Sequence, residues 1–258
     1  MIKYPNINPN IITIGGLHLR WYGLAYALGF VAGYAYLNRR LKKLNIKGLM
    51  DDVLLYAVLG VILGGRLGYV LIYNLGYYIK HPQEILYIWH GGMSFHGGLV
   101  GVAIAGLLLS KKYNIDFYTL ADEAVVVAPI GLFLGRIANF INDELWGRPT
   151  DLPWGVAFPS GGFIPRHPSQ LYEAFFEGVV LFSIMIFFRD RLIEKKGVMF
   201  WLFVFLYGFF RFFIEFTREP DPQIGFIWKL TMGQWLCLSM IVVSAIELYR
   251  RWNYDKHR

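Results

Sequence analysis

Seven stretches, each about 20 residues long and nearly free of charge, recur along the chain at 21–37, 53–73, 93–110, 120–135, 171–188, 198–216 and 233–249. A helix needs about that many apolar residues to cross a ~30 Å hydrocarbon layer, where every backbone polar group must be satisfied within the element itself. With 56% of its 258 residues hydrophobic, the chain does not read as a soluble fold. The sequence predicts an all-α integral membrane protein, a single polytopic domain over 1–258 with seven transmembrane helices and joints too short to form a second domain.

Basic residues near helix ends are retained on the cytoplasmic side, so their distribution sets the orientation. They crowd the joints after the first, third, fifth and seventh stretches: Arg39, Arg40, Lys42, Lys43 and Lys47; Lys111 and Lys112; Arg189, Arg191, Lys195 and Lys196; Arg250, Arg251, Lys256 and Arg258. The N-terminus is therefore expected outside and the C-terminus in the cytoplasm. Two outer-face loops follow, at about 74–92 and 136–170. The second is punctuated by Pro149, Pro153, Pro159, Pro165, Pro168 and the Gly161-Gly162 pair.

A net charge of +7 raises the question of nucleic acid. The basic residues hug helix ends and form no single stripe, so the expected partner is anionic membrane lipid and not nucleic acid. No cleavable signal is expected, because residues 1–18 contain no apolar run. The lone cysteine, Cys237, lies inside the last stretch, which leaves no disulfide framework and no Cys-His zinc spacing; neither a metal nor a cofactor is expected. Small residues at four-residue spacing (Gly29 and Gly33; Gly60, Gly64 and Gly68; Gly97 and Gly101; Gly131 and Gly135) suit close helix packing in lipid. Trp21, Trp89, Trp146, Trp154, Trp228 and Trp252 fall near the ends of stretches, as an interfacial belt does.

Charge where hydrocarbon belongs carries the functional signal, since ionised groups at that depth are costly. Arg66 lies late in the second stretch, followed at i+3 and i+7 by Tyr69 and Tyr73, and Arg136 ends the fourth. In the sixth, Tyr207, Arg211, Glu215 and Arg218 form one polar stripe; Glu173 and Glu177 form an acidic one in the fifth. Arginine–glutamate pairs can serve only to fix helix register. In the inferred orientation, however, these arginines, with His96, His167 and Glu173, share the outer half of the membrane, and register pairs have no reason to share one depth. Several arginines with few carboxylates at that depth suggest an anionic partner, and the arginine fork suits phosphate. In an outer leaflet the phosphates are lipid headgroups.

His96, in Met93-Ser94-Phe95-His96-Gly97-Gly98, reads either as an interfacial anchor or as a titratable group with room beside it. The run 135–148, GRIANFINDELWGR, sets Asn139 and Asn142 after Arg136, ahead of Glu144, Gly147 and Arg148; helix capping and a polar ligand site are both open. HPSQLYE at 167–173 reads as a helix start with Pro168 in its first turn.

Taken together, WYG at 21–23, GGRLGY at 64–69, MSFHGGLVG at 93–101, GRIANFINDELWGR at 135–148, RHPSQLYE at 166–173 and the FR…E..REPD pattern at 210–221 resemble the bacterial prolipoprotein diacylglyceryl transferases, in order and over nearly the whole chain. Ala138 is one departure, standing where that family's signature usually has glycine. The resemblance implies transfer of the diacylglyceryl group of phosphatidylglycerol to the lipobox cysteine thiol of prolipoprotein signal peptides. It further implies a multi-pass protein of the bacterial cytoplasmic (inner) membrane, with its site on the periplasmic or outer side. By similarity Tyr22, His96, Arg136 and Arg211 are the expected catalytic residues. Arg136, Asn139, Asn142, Glu144, Gly147, Arg66, His167, Tyr207 and Glu215 are the expected substrate-binding set. A lipid or anion transporter would also bury arginines, but the sequence shows neither inverted repeats nor broken midplane helices. A non-catalytic scaffold would not need arginines at one depth.

Overall fold

The computed structural model of the protein describes residues 2–15, 17–219 and 226–254. Nine α-helices lie among the described residues: α1 Trp21–Leu41, α2 Leu49–Ile72, α3 Leu75–Lys80, α4 Phe95–Tyr113, α5 Phe117–Ile141, α6 Ser169–Glu173, α7 Leu181–Leu192, α8 Val198–Ile214 and α9 Met232–Tyr254. Strands are short. Ile2–Lys3 (β1) runs parallel to Val156–Ala157 (β4), which pairs antiparallel with Pro165–Arg166 (β5). Two hairpins pair Asn10–Ile14 (β2) with Leu17–Arg20 (β3) and Phe226–Ile227 (β6) with Leu230–Thr231 (β7).

Each of the seven apolar stretches is helical nearly throughout, with Met93 and Ser94 at the start of the third outside its helix. Five helices among the described residues are long and apolar enough to cross a membrane: Leu49–Ile72, Phe117–Ile141, Ser169–Leu192, Val198–Thr217 and Met232–Asn253. The other two stretches lie on α1 and α4. Lys256 and Arg258 lie outside the described residues, as do Pro220 and Asp221 of the REPD run.

The chain forms two compact units, one of Leu37–Ala121 and one of Met1–Tyr36 with Asp122–Arg258. In the first, α2 and α4 meet along the expected glycine seam. A Cβ on Gly60 would stand 2.8 Å from the Gly101 carbonyl oxygen, and one on Gly68 would stand 2.7 Å from Gly97 Cα, so only glycine permits the approach. Gly33, Gly131 and Gly135 have open space in that direction, so their spacing does not mark a close contact. Leu41, Leu49, Leu109 and Leu120 close the core at the other end of this unit.

The expected loop at 74–92 is more ordered than its composition suggested. It holds α3 and two 3-10 turns, Pro82–Leu86 and Ile88–His90, wrapped around Arg66. Arg66 Nε donates to the Ile85 carbonyl at 2.9 Å, Nη1 to those of Gly91 and Gly92 at 2.5 and 3.1 Å, and Nη2 to those of Glu84 and Tyr87 at 2.5 and 3.2 Å. Tyr78 lies under the guanidinium, its ring centre 5.2 Å away.

In the second unit, Val125, Val126, Leu181, Met185 and Met199 form the core between α5, α7 and α8. The expected outer loop starts later than 136, because α5 runs through Ile141 and carries Arg136 and Asn139 on its last turns. Ala138, the departure from the family signature, is part of that helix and is 2% exposed. A second, small core of Tyr4, Val156 and Phe158, with Phe140 and Trp146 against it, folds the segment after α5 back on the helix. Between α6 and α7 the helix widens into a π segment, Ala174–Val180.

Candidate functional site

Helix direction alternates along α5, α6–α7 and α8, so the end of α5, the start of α6 and the end of α8 can meet at one end of the second unit. Arg136, Glu173 and Arg211 occupy those three places. Glu173 is fully buried and receives Arg136 Nε at 2.5 Å and Arg211 Nη1 at 2.8 Å on one carboxylate oxygen, and Arg218 Nη1 at 2.5 Å on the other. Arg211 Nη2 also reaches Glu215 Oε2 at 3.2 Å, and Nη1 stands 3.6 Å from Glu177 Oε1. Glu215 is tied on its far oxygen to the Thr231 hydroxyl at 3.1 Å. The expectation of several arginines with few carboxylates is thus corrected. Arg136, Arg211 and Arg218 interlock with Glu173, Glu177 and Glu215, because bare guanidinium groups this close would repel and could not be buried unpaired.

The arginines form the accessible side of this cluster. The Arg136 and Arg211 side chains are 17% and 16% exposed, against 0% for Glu173 and Glu177. Charge-assisted pairs of this kind hold the guanidinium groups in fixed directions before any ligand arrives.

A polar rim continues from Arg136. Its Nη1 donates to Asn139 Oδ1 at 3.4 Å, and the Asn139 amide donates to Glu144 Oε1 at 2.8 Å; Asn142 donates to the same oxygen at 3.2 Å. Of the two open readings, ligand site and helix cap, neither asparagine side chain caps the backbone; both hold Glu144. Glu144 is flanked by Asp143 and Leu145 in the left-handed region, φ 56° and 59°. A leucine there is strained and persists only where its surroundings fix it. Gln170 donates to the Glu144 carbonyl at 2.6 Å and Ser169 to that of Leu145 at 3.0 Å, so α6 supplies the restraint.

Gly147 sits where three segments pinch together. Its N–H donates to the His167 carbonyl at 2.8 Å, and a Cβ would stand 2.8 Å from that oxygen and strike the Thr217 carbonyl. Beside it the Arg148 N–H donates to the Thr217 carbonyl at 2.8 Å and Nε to the Arg218 carbonyl at 2.6 Å, which fastens the loop to the end of α8. Arg166 adds a strap, donating to the Gly147 and Gly161 carbonyls at 3.2 and 3.0 Å, pairing with Glu219 at 2.8 Å, and lying 4.0 Å above the Trp146 ring.

His167 Nδ1 is 3.3 Å from the Tyr172 hydroxyl, which accepts from Trp154 Nε1 at 2.8 Å. Burial, then the nearby Arg148 charge, hold the His167 imidazole below the ordinary histidine range. Tyr207 packs on the α5–α7–α8 core and stacks on Phe203. Tyr22 is exposed on α1, 3.3 Å from the Tyr26 hydroxyl and within the electrostatic reach of Glu144 and Arg136.

The expected residues therefore fall into distinct surroundings. Arg136, Asn139, Asn142, Glu144, Arg211 and Glu215 form one connected network, with Gly147 and His167 in the loop fastened to it. Arg66, expected to bind substrate, lies in the other unit and has every guanidinium nitrogen bonded to loop carbonyls there. His96 is the second residue of α4, which follows its cap Ser94, and its side chain lies outside the described residues. Sequence reasoning did not foresee Gln170, Ser169 or Arg166 as site-shaping residues; buried polar residues in the RHPSQ run were the available signal.

This arrangement defines a class, a polytopic helical membrane protein with a preorganised arginine–glutamate cluster at one end of its helices. A family described as prolipoprotein diacylglyceryl transferase has a model that matches residues 9–250. Similar proteins include the phosphatidylglycerol–prolipoprotein diacylglyceryl transferases of Nitrobacter hamburgensis (48% identical, covering 98% of this chain and 91% of the relative) and Geobacter sulfurreducens (49%, covering 97% and 98%). Another, from Nitratidesulfovibrio vulgaris, is 50% identical over 97% of this chain and 96% of its own length. The chain belongs to the prolipoprotein diacylglyceryl transferase family.

Proposed function

We propose that the protein transfers the diacylglyceryl group of phosphatidylglycerol to the thiol of the lipobox cysteine of a prolipoprotein, the first step of lipoprotein maturation. Family membership over the whole chain supports the reaction, and the cluster of Arg136, Arg211 and Arg218 around buried Glu173 is the observation that carries the site assignment. A phosphodiester approaching the accessible guanidinium groups meets donors already oriented by their carboxylates, so little reorganisation is left for the reaction.

In this reading the substrate thiolate attacks the glyceryl carbon next to the phosphate oxygen. The carbon–sulfur bond forms as the carbon–oxygen bond breaks, and glycerol phosphate departs with the electron pair. Arg136 and Arg211 stabilise the charge gathering on that phosphate. Asn139, Asn142 and Glu144 offer the polar rim for the headgroup, with Gly147, His167, Tyr207 and Glu215 shaping it and Tyr22 bordering Arg136. His96 is the base for the thiol proton. Arg66 acts by shaping the 74–92 loop. An apolar hollow lined by Pro129, Phe133, Gly178 and Phe182 lies one turn from Arg136 and suits an acyl chain. Transfer is direct, with the substrate's own cysteine as nucleophile and no lipid on the enzyme.

We further propose seven crossings with the N-terminus outside, the C-terminus in the cytoplasm, and the arginine cluster on the outer side of the bacterial inner membrane. The basic residues after α7, at the opposite end of the helices from Arg136, support this direction. Purified protein given labelled phosphatidylglycerol and a lipobox peptide should yield diacylglyceryl peptide; no product with phosphatidylglycerol, under conditions where a relative turns over, overturns the activity. Cysteine labelling should reach position 155 from outside and position 195 only from the cytoplasm. The reverse pattern overturns the orientation.

A further inference from the structure

Glu173 and Glu215 each leave one carboxylate oxygen, Oε2, without a hydrogen bond among the described residues, but Glu177 leaves both. Glu177 is 0% exposed. Its nearest cation, Arg211 Nη1, stands 3.6 Å away, whereas Glu173 receives three guanidinium nitrogens within 2.8 Å and Glu215 receives Arg211 and the Thr231 hydroxyl. The residue lies on the π segment Ala174–Val180, an i→i+5 turn of the kind frequent at functional sites. The charged and titratable groups within its electrostatic range are Glu173 on its own helix, Arg136 from α5, Tyr207 and Arg211 from α8, Arg218 beyond it and Cys237 of α9.

Charge counting gives this residue a task. Arg136, Arg211 and Arg218 are balanced by Glu173, Glu177 and Glu215, and adding the rim pair Arg148 and Glu144 leaves the balance unchanged. A phosphodiester entering a balanced, mostly buried cluster leaves one uncompensated negative charge, which a low-dielectric site resists strongly. Protonating one carboxylate restores neutrality at the least cost where the carboxylate has the fewest donors. We propose that this cluster binds its anionic headgroup together with one proton, and that Glu177 is the positioning residue that takes it, acting on the headgroup through Arg211. The proton comes from solvent, converts the carboxylate to a carboxylic acid as the anion binds, and returns when the phosphate product leaves. The inference rests on the phosphate-binding reading of Arg136 and Arg211 given above.

Calorimetry of short-chain phosphatidylglycerol binding to the detergent-solubilised protein, without peptide, tests it in buffers of different ionisation enthalpy. Wild type should take up about one proton per lipid bound, and its affinity should weaken toward about tenfold per pH unit as pH rises. Glu177→Gln, which keeps the shape and fixes the neutral form, should bind with no proton uptake and with an affinity flat in pH; a purely structural role would leave the uptake in place. Absence of uptake by wild type, or uptake that persists in E177Q, overturns the inference even if Arg136→Gln and Arg211→Gln weaken binding as expected. If those arginine variants bind the lipid as wild type does, the phosphate reading fails as well.

Discussion

Both ends of the same helices bury charge, but they bury it differently. At one end, Asp122 near the start of α5 accepts the Gly197 N–H at 2.6 Å and the Phe200 N–H at 2.8 Å, capping α8 with both carboxylate oxygens. Beside it Glu123 accepts Arg189 Nε at 3.1 Å, pairs with Arg189 Nη2, and accepts the Tyr36 hydroxyl at 2.9 Å. Acceptors and donors match, and the result is a brace. At the other end three arginines crowd three glutamates, and both oxygens of Glu177, Oε2 of Glu173 and of Glu215, and Nη1 of Arg211 find no hydrogen bond among the described residues. Saturation marks the brace and imperfect satisfaction the proposed site, where Arg211 Nη1 keeps a donor direction that no hydrogen bond uses.

The comparison breaks most visibly at the arginines. Arg136→Gln and Arg211→Gln should each lower turnover by roughly 2–4 kcal/mol of transition-state stabilisation, which is about 30- to 1000-fold, while the protein still inserts. Diacylglyceryl transfer to a lipobox peptide at matched expression checks it, and near-wild-type rates would make these arginines a second brace. Removing the opposite end should do the reverse. Asp122→Ala removes the carboxylate that accepts from the buried Gly197 N–H and the part-buried Phe200 N–H, at a cost of about 2 kcal/mol. The half-life at raised temperature should shorten, with KM for phosphatidylglycerol in the surviving folded fraction close to wild type.

A smaller effect separates the loop from the cluster. Because the folded protein holds His167 below the ordinary histidine range, the unfolded chain binds that proton more readily, so stability contributed by the neutral imidazole is present above that range and lost as pH falls through about 6.5. His167→Gln should shrink the difference in unfolding temperature between about pH 5 and pH 7.5. An unchanged difference would exclude His167 as its source. The smallest expected effect is at Cys237, buried at 4% exposure on α9. Cys237→Ala should alter turnover by much less than the tenfold that ~1.4 kcal/mol represents, and mass spectrometry after incubation with phosphatidylglycerol alone should find no lipid on the protein. A diacylglyceryl adduct lost together with turnover in the variant would replace direct transfer with a two-step route.

Much of the site was legible because its signals are local. A charged residue inside an apolar stretch is anomalous by composition alone, so Arg136, Arg211, Glu173 and Glu177 stood out without coordinates. The glycine seam of α2 and α4 was equally readable, since four-residue spacing on two helices permits backbone contact. What those charges face was not legible. Arg66 and Arg211 look alike in sequence, yet the first is enclosed by carbonyls of the 74–92 loop and the second by carboxylates from two helices.

By itself, the sequence determined the mostly helical, membrane-spanning class, the anomalous charges within the apolar stretches, and the family, because hydrophobic stretches and ordered motifs are properties of the chain read in one dimension. Only the tertiary structure decided which arginines are consumed by loop carbonyls and which are held beside carboxylates, that α5 extends through Ile141, and that a π turn sets Glu177 behind Arg211 without a hydrogen bond. Those outcomes depend on hydrogen-bond partners distant in sequence, and satisfaction of a buried polar group is decided only when the elements around it have packed.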